Sequence, residues 1–83
     1  MPTLEPIHDG LSFEQAIVIN ENTELSGTRA VYTWLAKNYP GYKLAMQFLA
    51  SKDNCKYDVM LIRTSAGIDK QIHFNISSYF GKL

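Results

Sequence analysis

The chain has one cysteine, Cys55. A lone thiol builds no internal disulfide and no cysteine-based zinc site within one chain, so a reducing, cytoplasmic setting is the expectation. No apolar run approaches the ~20 residues needed to cross a bilayer. The start, Met1-Pro2-Thr3-Leu4-Glu5-Pro6, lacks the basic residues and apolar core of a signal peptide. Net charge is also missing, because eight basic residues balance eight acidic ones. That balance argues against a generic nucleic-acid binder, whose affinity comes mostly from neutralising phosphates, and against a polybasic membrane-surface module. It leaves no charge repulsion to oppose self-association. No Gly-rich phosphate loop is present, since Gly67 stands alone among turn residues. His8 and Asp9 are adjacent but supply too few ligands for a metal site. No cofactor is expected. Asn75-Ile76-Ser77 fits a glycosylation sequon, which in a protein without an export signal is a chance match.

What is present fits one small domain. The 83 residues are 46% apolar, as in ordinary globular proteins. A chain this short buries roughly 60–65% of its unfolded surface, which implies modest stability. Met1 to Leu11, punctuated by Pro2, Pro6 and Asp9-Gly10 and without a hydrophobic period, reads as a flexible N-terminal tail (residues 1–11) before a single domain (residues 12–83).

The domain is organised around Val59-Met60-Leu61-Ile62. Four consecutive apolar residues leave no polar face, as expected of a strand covered on both sides. Ile17-Val18-Ile19 is a β-branched run that predicts a first short strand. Asn22, Thr23 and Ser26 are candidate helix N-caps. The helix runs to about Asn38, with Gly27, Val31, Trp34, Leu35 and Asn38 along its inner face. Pro40-Gly41 ends it. Tyr42 to Ala50 alternates as a strand, with Tyr42, Leu44, Met46, Phe48 and Ala50 assigned to the helix side. Ser51 to Asn54 is a hairpin loop, Lys56 to Thr64 the middle strand, and Ser65-Ala66-Gly67 a turn. Lys70 to Ser77 alternates again, Ile72, Phe74 and Ile76 against Gln71, His73 and Asn75. Tyr79-Phe80 supplies two aromatics to pack on an edge of the core. The expected fold is α+β, in the order β-α-β-β-β, with one helix on one face of a small, mostly antiparallel four-stranded sheet.

One helix covers one face only. The other face is expected to carry Ala45, Gln47 and Leu49 from one strand, His73 and Asn75 from the last, and from the middle strand either Asp58, Met60 and Ile62 or the alternate set, apolar at the centre and polar at the margin, as in an interface. A non-enzymatic interaction module that self-associates through this face or through a strand edge is therefore the leading expectation, with a homodimer or another protein as partner and no membrane. Two alternatives accompany it. A nucleic-acid-binding or regulatory domain would use the aromatics, although core packing explains Phe48 and Phe74 more simply. A small-ligand site or a minor enzyme would use His73 as a base with Asp58 behind it and Cys55 or Ser77 as nucleophile, a combination that a chain of this length also produces by chance; no catalytic residue is assigned.

Tyr32-Thr33-Trp34-Leu35, Tyr39-Pro40-Gly41, Tyr57-Asp58-Val59 and the run Phe74-Asn75-Ile76-Ser77-Ser78-Tyr79-Phe80-Gly81-Lys82 together resemble short bacterial single-domain proteins. The resemblance covers about Ser12 to Lys82. It implies a bacterial, cytosolic, stand-alone domain and no particular activity.

Overall fold

The computed structural model describes residues 8–82. Its elements are β1 (Ile17–Val18), α1 (Glu24–Asn38), β2 (Lys43–Lys52), β3 (Cys55–Arg63) and β4 (Asp69–Asn75). The expected order and the single helix are both found. The sheet is open and mixed, in the order β1-β4-β3-β2. β2 and β4 each run antiparallel to β3, while β1 lies parallel to β4. α1 therefore carries the chain from one edge of the sheet to the other.

Local chemistry explains the boundaries. Of the three candidate caps, Thr23 takes the role, with extended backbone and its Oγ1 accepting from the Ser26 N–H at 3.2 Å. Asp53 and Asn54 both adopt left-handed backbone, φ 50° and 65°. That conformation matches a two-residue hairpin to the strand twist and favours Asn and Asp over branched residues.

The core lies between α1 and the sheet. Val31 and Leu35 meet Ile17, Ile19, Met60, Ile62, Ile72, Phe74 and Ile76, and Trp34 packs its ring edge-on to Phe74 at 5.5 Å. Gly27 is buried because the Tyr79 ring lies against it: a Cβ there would sit 2.4 Å from ring carbons. Sequence spacing placed Gly27 on the inner face, and the close neighbour is this ring rather than a strand. Gly27→Ala gains up to ~1 kcal/mol of helix propensity but forces the ring or the helix to move, at about 1–3 kcal/mol. A net loss of stability is expected in urea unfolding, and a gain would contradict this close packing.

Two expectations about the faces are corrected. Met60 and Ile62 do not lie on an uncovered face; each is 1% exposed beneath α1. β3 is apolar on both sides, so its own pattern does not orient it. Pairing does: Met60 stands opposite Ile72 and Asp58 opposite Phe74, and directly opposed residues point to one face. Met46 and Phe48 do not face the helix. An irregularity between Leu44 and Met46 leaves Ala45 without a partner on β3. The extra residue reverses the alternation. Leu44 stays beside Ile62, whereas Met46 and Phe48 stand opposite Leu61 and Val59 on the second face.

That second face is partly covered from within the chain. Gly10 is buried, and its carbonyl accepts from the His73 backbone N–H at 2.6 Å. Its φ is +82°. Phe13 packs edge-on against Tyr57 and His73, at 4.9 and 4.6 Å. Ala16 joins Tyr57 and Val59 in a small cluster. Residues 8–11, assigned to a flexible tail by sequence, thus include an anchored position; residues 1–7 of that tail lie outside the described residues.

Candidate interaction surface

The eight residues expected on one face are divided by the sheet. Gln47, Leu49, Asp58, Met60 and Ile62 belong to the helix side, and His73 and Asn75 to the other. Ala45 sits at the bulge, in a groove of about 360 Å³ with Leu61, Arg63, Asp69 and Gln71. The Arg63 guanidinium hydrogen-bonds Asp69 at 2.8 Å and holds that carboxyl below its usual range.

His73 is 5% exposed. Its Nδ1 lies 2.7 Å from the Gly10 carbonyl oxygen. A carbonyl only accepts, so Nδ1 carries the proton in that bond. Asp58 is on the opposite face of the sheet, so the expected His73–Asp58 pairing does not form. Ser77 Oγ accepts from the Lys56 N–H at 3.0 Å and caps the start of β3. His8 Nδ1 lies 3.0 Å from the Ala16 carbonyl and Asp9 accepts from Leu11 N–H, so both serve local structure.

Asp58 is the chemically unusual member. It is buried, 6% exposed, and its two carboxylate oxygens each accept from the Gln47 amide at 3.1 Å. Among the described residues no cation pairs with it. Burial pushes its pKa above the ordinary carboxyl value, and the Gln47 hydrogen bonds offset only part of that rise. Tyr79 is pushed up to about 12, first by burial and then by the charges of Asp58 and Glu24. The sign for stability follows. A carboxyl harder to ionise when folded destabilises the fold at neutral pH. That penalty fades as pH falls through the raised value and is gone below the ordinary one, about 3.9. Asp58→Asn keeps the amide contact and removes the charge. A gain of about 1 kcal/mol at pH 7, the scale of an incompletely satisfied buried polar group, is expected in urea unfolding, shrinking towards zero near pH 3.5. Equal effects at both pH values would contradict it.

The surface left open is β2. It is an edge strand, and every residue from Lys43 to Leu49 is exposed. Leu44 (40%) and Leu49 (60%) are open on the helix side, beyond the reach of α1, and Met46 (58%) and Phe48 (42%) on the other side. Apart from its ladder to β3, no backbone hydrogen bond involves β2 among the described residues. Leu49 is exposed, but on the helix side rather than on the second face expected for it. The facing of Met46 and Phe48 is not legible in the sequence, because no signal marks the bulge that turns them.

The fold and this edge define a small α+β domain with an open mixed sheet and an unpaired, apolar edge strand. No family model, curated protein or solved structure matches the chain. Among the described residues no helix is long and apolar enough to cross a membrane.

Proposed function

We propose that this protein is a non-enzymatic interaction module of the bacterial cytoplasm that self-associates through β2. The observation that carries the reading is the ten-residue edge strand with exposed apolar side chains on both faces. A long apolar edge offers a row of unpaired N–H and C=O groups to a second chain. Natural sheets blunt such edges with inward charges, proline, bulges or a covering loop; β2 has lysines only at its two ends, no proline, and a bulge only near its start, at Ala45, which leaves Met46 to Lys52 a regular open run. Zero net charge removes the repulsion that would keep copies apart. Antiparallel pairing of two β2 strands centred on Phe48 brings the two Phe48 rings together across the junction, an arrangement that stabilises cross-strand pairs. Edge pairing is favoured over face-to-face contact, because α1 covers one face and residues 8–16 cover part of the other.

Light scattering across a concentration series tests the reading. A dimer of the 9.4 kDa chain at micromolar concentration supports it. A strict monomer up to high micromolar concentration overturns it.

A further inference from the structure

The opposite edge of the sheet offers a second and different surface. A groove of about 480 Å³ runs between β1 and α1. Its apolar part is formed by Ile17, Ile19, Ala30 and Trp34; Val18 lines it with its backbone, because its register opposite Asn75 turns its exposed side chain to the other face of the sheet. Arg29, Thr33 and Lys37 line it from successive turns of the helix. Glu21, in the loop before α1, is the one acidic group of the lining. Among the described residues, the ion pairs are Lys52–Glu14 and Arg63–Asp69, so neither Arg29 nor Lys37 is neutralised.

The backbone of β1 is available along this groove. The Ile19 N–H donates to the Asn75 carbonyl at 3.0 Å, and the Ile19 carbonyl accepts from Ser78 Oγ at 2.6 Å. Residues of a strand alternate in the side to which they direct their hydrogen-bonding groups. Val18 therefore turns its N–H and C=O away from β4, towards the open edge.

We infer that this groove takes an extended acidic peptide, added to β1 as a further strand beneath α1. The spacing of the two cations specifies the partner. Arg29 and Lys37 are eight residues apart on a helix, about 12 Å along its axis. Four residues of extended chain span about 13 Å. Side chains four apart on a strand also share a face. The matching segment carries carboxylates at positions i and i+4, with an apolar side chain at i+2 over Ala30 and Trp34. Glu21 disfavours a third carboxylate at the end of the groove before α1. The inference is independent of β2, which lies on the far side of β4 and β3.

The test is fluorescence anisotropy of a fluorescein-labelled peptide, Ser-Thr-Glu-Thr-Leu-Thr-Glu-Thr-Ser, titrated with the full chain. Saturable binding is expected, weakened at least about tenfold when both peptide glutamates become glutamine. The double variant Arg29→Glu with Lys37→Glu should lose affinity by a similar or larger factor. Val18→Pro removes the outward N–H, a change an edge strand tolerates, and should weaken binding while leaving the circular dichroism spectrum unchanged. Absence of saturable binding, equal affinity for the glutamine peptide, or binding retained by both protein variants would each overturn the assignment.

Discussion

Phe48→Lys combined with Leu49→Lys should abolish the proposed self-association through β2 and leave the fold intact. Both side chains are exposed, and they point to opposite faces of β2. Surface substitutions away from special contacts change stability by only about 0.5 kcal/mol. Leu49 also stands opposite Asp58, so a lysine there brings a cation towards a buried carboxylate that lacks one. Assembly is affected differently. A two-fold contact meets each substitution twice, and four ammonium groups enter one junction. A loss of about 2.7 kcal/mol corresponds to a 100-fold weaker dimer, and this is the least expected. Sedimentation of wild type and variant at matched concentrations reads it. Met60→Lys, on a residue whose facing the sequence leaves open, is not an assembly test. It would place a charge in the core beneath α1, and it should unfold the domain.

Phe74→Ala should produce a large loss of stability. Phe74 is fully buried, shares the core with Leu35 and Ile72, and receives the edge of Trp34 at 5.5 Å. Large-to-small changes at such sites cost about 3–5 kcal/mol, the transfer term plus the cavity. At ~0.05–0.15 kcal/mol per residue, a chain of this length holds only about 4–12 kcal/mol in total. The variant is therefore expected to be close to unfolded at 37 °C, which a urea titration monitored at Trp34 would show. A loss under about 1.5 kcal/mol would mean that the helix does not seat on β4 as described.

The contrast between these two residues shows how far the sequence was readable. Phe74 and Phe48 are both aromatic and both sit in clean alternating runs. For Phe74 the alternation held, because β4 is regular from Asp69 to Asn75. For Phe48 it failed, because one unpartnered residue at Ala45 reverses everything before or after it, and alanine carries no mark of a bulge. The middle strand was correctly identified but could not be oriented, since Val59 and Met60 are equally apolar and only pairing to Ile72 and His73 distinguishes them. The helix is legible at its end, from the Pro40-Gly41 stop, and at its start to within the three candidate caps of which Thr23 takes the role. The covering segment before β1 was not. It has no period to detect, because it is held by single positions: the left-handed Gly10, the Phe13 ring and Ala16. Of the expected interaction residues, Ala45, Gln47 and Leu49 remain on the open strand, while Met60 and Ile62 belong to the core.

Hydrogen exchange at β2, measured residue by residue at two protein concentrations, tests the central claim most directly. In a single copy, the β2 amides that point to β3 are protected and those that point outward exchange freely. Pairing of two β2 strands is expected to protect the outward amides at high concentration and release them on dilution, with β3 and β4 unchanged. Outward β2 amides that exchange at the free rate at every concentration would contradict the account, whatever the mass of the particle in solution.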